Sequence, residues 1–404
     1  MTHDLIIIGG GAAGMACAVT AAKRGLNVLV LERLDRVGKK LLATGNGRCN
    51  LMNTSALRYP GGESFAREVL ERVDAHAQKA FWAQYGLHVR EEDAGRVYPV
   101  SGQATSVLDA LRLGMTLHGV QIETGAHVTK VERTRQGFTV YTADRQYRGK
   151  NVLIAGGGKS QSKLGSDGSC MKLLRDLGHT IKPCKPVLTQ ILTDTKPISG
   201  LSGIRVKAEV SVQKDAIVLY REQGELLFAD YGVSGVCAMQ CARYADQPGT
   251  KLSVSFLKGM GFEDAESCVL ELTHRADAWR MLPMEQLLTG LCVPRLASAL
   301  CKAAGVVWKD RLIGSLTAKE INSLARIMAS FVLKVSGVKG FEQSQVTSGG
   351  AATEEFDPAT MQSRIVPGLY AAGEVLDVDG DCGGYNLMFA FACGIIAGQS
   401  VEVK

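Results

Sequence analysis

Three glycines and an acidic residue near the start of the chain are spaced as in loops that bind a dinucleotide. Gly9, Gly11 and Gly14 form a GxGxxG pattern after an apolar run, and Glu32 ends the next apolar run. In such a loop the first glycine permits a tight turn, the second lets the backbone approach a diphosphate, and the third lets a helix press on a strand. Glu32 is placed to accept hydrogen bonds from ribose hydroxyls. The pattern therefore predicts a βαβ unit with a dinucleotide at the helix start.

This unit alone does not distinguish FAD from NAD, but three later segments favour FAD. Residues 36–53 carry basic side chains and then GNGRCN, which suits a loop that follows the diphosphate toward the redox ring. Residues 151–160 form an apolar run ending in glycines, where a second backbone segment can pass close to the cofactor. Residues 368–398 place Glu374 to bind a polyol such as the ribityl chain. A helix beginning near Gly384 then directs its positive end at the flavin ring, where it stabilises the negative charge of the reduced flavin.

The predicted cofactor-binding residues are glycines, small residues and polar residues of these segments. They are Gly9, Gly11, Ala12, Ala13, Gly14, Glu32, Arg33, Lys40, Gly45, Gly47, Arg48, Cys49, Asn50, Val128, Ala155, Gly156, Gly157, Gly373, Glu374, Gly384, Asn386 and Leu387. The sequence has no second complete GxGxxG fingerprint for a nicotinamide cofactor, so it leaves the electron donor open.

The same blocks carry a family resemblance. The stretches GKKLLATGNGRCNLMN, GRVYPVSGQATSVLDAL, VTSGGAATEEFDPATMQSR and GLYAAGEVLDVDGDCGGYNLMFAFACG lie along nearly the whole chain. They resemble the glutathione-reductase-fold flavoproteins, and within them a family of three-domain bacterial FAD proteins known as YhiN-like, aminoacetone-oxidase-like or bile-acid-reductase-like. The resemblance implies a discontinuous FAD-binding domain with an inserted region.

The expected fold is α/β, or α+β over the whole chain, with a Rossmann-type FAD-binding domain of the glutathione-reductase type. This domain is predicted to comprise residues 1–189 and 346–404. Residues 190–262 contain alternating, β-rich runs typical of a small barrel or sandwich. Residues 263–345 show helical spacing, with one helical run predicted over TAKEINSLARIMASFVL, residues 317–333, and are predicted to form a helical subdomain.

Cys49 is the first candidate for a catalytic side chain. Relatives of this fold that use a disulfide have two cysteines five residues apart in this loop, whereas the next cysteine here is Cys170. A dithiol relay is therefore not expected. A lone thiol activated by Arg48 is one possibility; the favoured one is that the loop backbone, with the Arg48 and Asn50 side chains, holds the cofactor.

Tyrosines supply the other candidates for proton transfer. Tyr231, beside Asp230 in ADYGVSG, and Tyr385, in GGYN, are candidate proton donors, and Tyr98 is comparable to them. For Tyr231 and Asp230 the favoured alternative is a structural turn. For Tyr98 and Tyr385 it is aromatic packing against the ring.

Composition and spacing argue against several other classes of function. The 46 basic and 40 acidic residues give a net charge of only +6, which is too little over 404 residues to indicate a nucleic-acid partner. Eleven cysteines without a CxxC indicate reduced thiols in a cytoplasmic protein, and neither cysteine nor histidine spacing predicts a metal site. DVDGD, residues 377–381, lacks the glycine and the glutamate of a calcium loop. Residues 382–401 have too short an apolar core for a membrane span.

Together these observations predict an FAD-dependent oxidoreductase that acts on a small molecule. NADH or NADPH is the expected electron donor, and the expected acceptor is organic, such as the conjugated C=C of a steroid-like or other enone. One alternative is an amine oxidase of the aminoacetone type that uses oxygen. A second is a flavoprotein that acts on or binds tRNA, which the weak net basicity disfavours. The sequence makes no prediction of the oligomeric state.

Overall fold

The computed structural model describes residues 2–215 and 217–402. The strands are β1 (Thr2–Ile8), β2 (Val28–Leu31), β3 (Met52–Asn53), β4 (Val89–Glu92), β5 (Arg96–Pro99), β6 (Gln121–Glu123), β7 (Lys130–Thr134), β8 (Gly137–Tyr141), β9 (Gln146–Ile154), β10 (Ile181–Val187), β11 (Ile191–Thr193), β12 (Arg205–Lys214), β13 (Ile217–Ala229), β14 (Gly232–Ser234), β15 (Thr250–Ser255), β16 (Phe331–Val338), β17 (Val346–Ala351) and β18 (Leu369–Ala371). The helices are α1 (Ala12–Lys23), α2 (Lys39–Ala43), α3 (Glu63–Arg72), α4 (Ala75–Ala83), α5 (Ala104–Leu117), α6 (Ser169–Asp176), α7 (Val236–Ala245), α8 (Ala265–Ala278), α9 (Pro294–Ala304), α10 (Ala318–Ala329) and α11 (Tyr385–Ser400).

The chain divides into two units. The first comprises Met1–Pro186 and Ser344–Lys404, and the second comprises Val187–Gln343. The β-rich and the helical segments that the sequence separates at residue 262 both lie in the second unit. Their division into two domains stays a prediction.

A mostly parallel sheet organises the first unit. Its strand order is β6-β2-β1-β9-β8-β7, and β18 pairs with β9. Strands β1, β2, β6, β9 and β18 run parallel, so their carboxyl ends meet at one edge of the sheet. The GxGxxG loop, Glu32, the stretch from Ala155 to Gly157 and the Gly373–Glu374 pair all follow these strands. This is the edge at which α/β sheets bind ligands. The predicted α/β fold with a Rossmann-type unit is confirmed.

Helices α1 and α11 pack against each other without large side chains between them. A Cβ atom at Gly394 would lie 2.2 Å from the carbonyl oxygen of Ala13, and one at Gly398 would lie 2.7 Å from that of Cys17. Both distances are shorter than a van der Waals contact, so glycine is what permits this approach. Residues near the two ends of the chain therefore form one core.

No helix in residues 2–215 and 217–402 is long and apolar enough to cross a membrane.

A small antiparallel sheet lies beside the GNGRCN loop in the first unit. Its strand order is β3-β5-β4, with Met52 opposite Val97 and Arg90 opposite Tyr98. The backbone amide of Leu51 donates to the carbonyl of Val97, so the loop is fixed to the sheet edge.

A closed barrel forms the β part of the second unit, in the order β11-β14-β13-β12-β15-β16. The helical prediction for TAKEINSLARIMASFVL is wrong at its end, because α10 stops at Ala329 and Phe331–Val338 is the strand that closes the barrel. Phe331 and Leu333 are buried while Val332 and Lys334 are exposed. This alternation has the period of a strand.

Helix α10 begins with a capping box joined to an ion pair. The Thr317 side chain accepts from the Glu320 amide, and Glu320 accepts from the Thr317 amide. Arg311 donates to both carboxylate oxygens of Glu320, at 2.5 and 2.8 Å. These contacts, the Arg311 hydrogen bonds foremost, lower the pKa of Glu320 from 4.5 to about 2. Such a shift corresponds to at most about 3 kcal/mol of stability at neutral pH.

We expect Glu320→Gln to destabilise the protein near pH 7 by about 1–3 kcal/mol, because it removes the charge from a largely buried ion pair. The pKa of Glu320 is lower in the folded state. Its stabilisation is therefore complete above pH 4.5, and it disappears as the pH falls toward 2. Urea denaturation at pH 7, 4.5 and 3 measures the difference. Glu285→Gln, at an exposed position, is the control, and an equal loss in both variants at pH 7 contradicts the prediction.

Candidate functional site

The GxGxxG loop has the geometry that each of its glycines requires. Gly9 has φ +108°, and a Cβ there would lie 2.6 Å from the carbonyl oxygen of Ala155. A Cβ at Gly14 would lie 2.0 Å from the carbonyl oxygen of Gly9. A Cβ at Gly11, by contrast, would meet no atom of the described chain within 4 Å. Gly11 is the N-cap of α1, so the helix start faces open space lined by backbone.

Glu32 is buried beside this loop and is held from two sides. Its Oε2 accepts from the Gly10 amide and its Oε1 from the Leu34 amide, both at 2.8 Å. A carboxylate has about four acceptor sites, so each oxygen can still accept from a ribose hydroxyl. The Ala126 amide donates to the Glu32 carbonyl, which brings the segment containing Val128 to the same strand end. The sequence did not predict the hydrogen bond from the Gly10 amide to the Glu32 carboxylate.

Arg33 bonds to the protein, although the sequence assigned it to the cofactor. It forms an ion pair with Asp167 and donates to the carbonyl of Ser162. Its Nε atom is buried and has no partner among the described residues. Arg33 therefore anchors the loop that follows β9, and direct contact with a ligand stays a prediction.

An ion pair joins the first and third predicted cofactor segments. Lys40 Nζ lies 2.7 Å from Glu374 Oε2, and the Thr347 amide donates to Glu374 Oε1 at 2.9 Å. The Thr347 hydroxyl oxygen accepts from the amides of Lys159 and Ser160, at 2.8 and 3.0 Å. Thr347 thus connects Glu374 to the loop after β9.

The sequence did not indicate several residues of this network, because they belong to no motif. Thr347 lies in a family block without a recognisable chemical role. Gly158 follows the predicted glycines by one position, and a Cβ there would lie 2.8 Å from Glu374 Oε1. Lys159 directly follows three glycines at the end of a strand, and this position could have indicated that it belongs to the site.

The GNGRCN loop is strained, and only its last two residues, Cys49 and Asn50, are buried. Gly45, Asn46, Gly47 and Cys49 all have positive φ, with values of 57°, 55°, 82° and 56°. For the two residues other than glycine this conformation costs on the order of 1 kcal/mol or more each. Strain of this kind persists where the surrounding structure requires a particular backbone shape, as at binding sites.

The thiol of Cys49 is not a nucleophile. The residue is 0% exposed, and burial raises its pKa to about 12. The thiol is therefore protonated at neutral pH, and the neighbouring Arg48 does not offset the effect of burial. We withdraw Cys49 as a catalytic candidate; its predicted part in the cofactor loop is through the backbone.

The start of α11 adjoins this loop. A Cβ at Gly384, the N-cap of α11, would lie 2.7 Å from Asn50 Oδ1. That oxygen is buried and has no hydrogen-bond partner within the described part of the chain. A buried acceptor without a donor is costly, so its donor is expected from a bound group. Asn386 bonds instead to the amide and carbonyl of Gly380 and shapes the loop before the helix.

The tyrosine candidates differ in their surroundings. The Tyr385 hydroxyl donates to the carbonyl of Ala56, and burial raises its pKa, so the phenol is protonated and its proton is directed at the backbone; a catalytic role for Tyr385 stays a prediction. Tyr98 lies beneath the Arg48 guanidinium, 4.0 Å from the ring centroid. Tyr231 belongs to the second unit, where the ammonium of Lys339 lies over its ring at 3.5 Å. The neighbouring Asp230 is exposed.

The comparisons with known proteins identify the family. A model of the family described as HI0933-like protein Rossmann domain matches residues 3–400. The chain belongs to this family. The resemblance stated from the motifs is confirmed, and the chain is an FAD-dependent oxidoreductase.

Two curated relatives span nearly the full length of the chain. A 3-dehydro-bile acid delta(4,6)-reductase of Clostridium scindens is 34% identical over 98% of both chains. A ribosomal RNA dihydrouridine synthase of Haemophilus influenzae is 27% identical over 98% of both chains. Among solved structures, a 3-ketosteroid delta1-dehydrogenase of Sterolibacterium denitrificans is 13% identical, covers 99% of both chains and has a TM-score of 0.50, which shows a shared fold.

The residues of this HI0933-like chain fit FAD. Open backbone at Gly11 suits a diphosphate, the free acceptor sites of Glu32 suit a ribose, and the unpartnered Asn50 oxygen suits a donor of the flavin ring. No group of three or more His, Cys, Asp or Glu side chains in residues 2–215 and 217–402 could hold a metal ion.

We expect Gly11→Ala to fold normally but to bind FAD about tenfold more weakly, because the added methyl group fills space meant for the diphosphate. Gly14→Ala is the comparison. Its methyl group collides with the Gly9 carbonyl, so it lowers the melting temperature of the apoprotein. Thermal unfolding of both apoproteins and FAD titration monitored by flavin fluorescence measure these effects. Wild-type FAD affinity in Gly11→Ala contradicts the assignment.

Proposed function

We propose that this flavoenzyme reduces a C=C bond conjugated to a carbonyl group, with NADH or NADPH as the electron donor. The observation that carries the proposal is the full-length similarity to a bile-acid delta(4,6)-reductase at 34% identity. When bound, FAD accepts a hydride from the nicotinamide and passes it to the substrate.

The second relative supports the same class of reaction. Dihydrouridine is uridine whose C5=C6 bond has gained two hydrogens, and that bond is conjugated to the C4 carbonyl. The names of two full-length relatives thus refer to the reduction of conjugated C=C bonds in unlike substrates. This supports the reaction class more strongly than any single substrate.

The electrostatics of the site favour reduction over amine oxidation. The α11 N-terminus has no acidic residue in its first turn, and the Arg48 guanidinium lies in the adjoining loop. Both groups attract a developing negative charge on oxygen and repel a cationic amine. An amine oxidase of the aminoacetone type therefore has less support than an enone reductase.

The chain's own residues are assigned to holding the cofactor and orienting it. Gly9, Gly11 and the start of α1 bind the diphosphate, and Glu32 binds the ribose of the adenosine. Lys40 and Thr347 hold Glu374 for the ribityl chain, since both donate to its carboxylate. Asn50 and the start of α11 bind the polar edge of the ring.

We expect NADH or NADPH to bleach the yellow flavin band of the purified enzyme in the absence of oxygen. Subsequent addition of a 3-oxo-Δ4 steroid or of 2-cyclohexen-1-one should restore the band and yield the saturated ketone, because the electrons pass from flavin to the C=C bond. Stopped-flow absorbance and mass spectrometry of the product measure both halves of the reaction.

Aminoacetone serves as the comparison substrate. If neither nucleotide bleaches the flavin but aminoacetone does so, and air restores the band, the enzyme is an amine oxidase and the reductase proposal is wrong.

Ribosomal RNA is a second candidate substrate, which the 27% identical relatives support. The same reduced enzyme is mixed with ribosomal RNA that lacks dihydrouridine. A gain of two hydrogens on a uridine, together with no reoxidation by enones, would assign the activity to RNA.

A further inference from the structure

The side chain of Arg48 is fixed from two directions. Its Nη2 donates to Glu92 Oε1 at 2.6 Å, and its guanidinium carbon lies 4.0 Å from the centroid of the Tyr98 ring. The same Glu92 oxygen accepts from Arg90 Nε and Nη2, at 3.2 and 3.1 Å. An ion pair and a stacked aromatic ring together restrict the guanidinium to one plane.

The remaining donors of Arg48 are available to a ligand. Nε and Nη1 form no hydrogen bond with any described residue, and the side chain is 39% exposed. Arg48 therefore presents the three N–H groups of Nε and Nη1 to the solution in a fixed orientation. The hydrogen bond with Arg48 is the main cause that keeps the pKa of Glu92 below its usual range, so both partners stay charged at neutral pH.

The loop places these donors near the predicted ring end of the FAD site. Asn50, two residues after Arg48, is buried against Gly384 at the start of α11. A Cβ at Gly45 would lie 2.9 Å from the Asn50 amide and 3.8 Å from the Tyr98 ring. The buried Asn50 of this loop thus contacts the start of α11, and the partly exposed Arg48 contacts the Tyr98 ring.

We propose that Arg48 binds the carbonyl oxygen of the substrate and stabilises the negative charge that forms on it. This inference rests on the proposed reduction of a conjugated C=C bond. It assigns Arg48 to the substrate instead of the cofactor, and it makes Glu92 and Tyr98 positioning residues.

The chemistry of the reduction requires such a group. In the proposed reduction a hydride would form a C–H bond at the β-carbon, and its two electrons would be supplied by NADH or NADPH with FAD bound at the site. The C=C π bond breaks, and its electron pair moves toward the carbonyl oxygen as an enolate. A proton from solvent or from an acid of the protein then adds at the α-carbon, which restores the carbonyl group. Donors aimed at the oxygen lower the barrier because the negative charge there is largest in the enolate.

The test compares holoenzymes of Arg48→Met and Arg48→Lys with the control Arg96→Met. Arg96 is exposed in the same small sheet, so its variant removes the same charge at a neighbouring position. Two readouts are used: kcat and KM for 2-cyclohexen-1-one, and binding of benzoate followed by the change in flavin absorbance. Benzoate presents a negative oxygen and is not reduced, so this readout is independent of turnover.

We expect Arg48→Met to retain FAD and its melting temperature, to bind benzoate at least about tenfold more weakly, and to lose on the order of 100-fold in kcat/KM. Arg48→Lys should recover part of both losses, and Arg96→Met should match the wild type. Wild-type benzoate binding in Arg48→Met, loss of FAD from that variant, or no binding of benzoate to the wild type would each overturn the inference. If the wild type reduces no enone, the proposed function fails, whereas the benzoate titration still decides whether Arg48 binds an oxyanion.

Discussion

The close approach of α1 and α11 is the constraint on which the first unit depends. Both helices begin with a glycine N-cap, and Gly394 and Gly398 bring them to van der Waals contact. Since α1 follows the central strand of the sheet, this contact fixes where α11 begins relative to the GxGxxG loop. The positive end of α11 and the positive end of α1 can then serve two ends of one dinucleotide. Larger side chains between the helices would move these ends apart.

Polar contacts also fix the position of residues at the predicted cofactor site. Lys40 and Thr347 hold Glu374, and Thr347 also holds the loop after β9. A carboxylate held by these two donors keeps its orientation before any ligand arrives, which reduces the ordering cost of binding. The strained GNGRCN loop contributes in the same way, because its left-handed residues set a backbone shape in advance of the cofactor.

The sequence predicted best those residues whose local backbone geometry restricts the residue type. Gly9 and Gly14 have the geometry expected of them because a tight turn and a helix contact tolerate no side chain. The parallel sheet and the first βαβ unit could be predicted from the apolar runs and from the glycines and acidic residues that end them. By contrast, Phe331–Leu333 was predicted to end a helix, since a short apolar run fits either period and the barrel's pairing decides between them.

Side-chain partners were harder to predict, because they depend on residues distant in the chain. Arg33 anchors a loop more than a hundred residues away, and Asn386 closes its own loop. Cys49 and Tyr385 were chosen as reactive residue types, but burial keeps the Cys49 thiol protonated, and the Tyr385 hydroxyl is bound to the carbonyl of Ala56. Residue type alone indicates what a group can do in water, whereas its burial and neighbours determine what it does in the protein.

The discontinuous first unit also has a consequence for biosynthesis. Residues 385–400 supply the packing partner of α1, so a ribosome must translate most of α11 before α1 can be buried against it. Until then, the apolar surface of the amino-terminal half stays available to chaperones. We therefore expect the coenzyme to be loaded only after α11 has been synthesised.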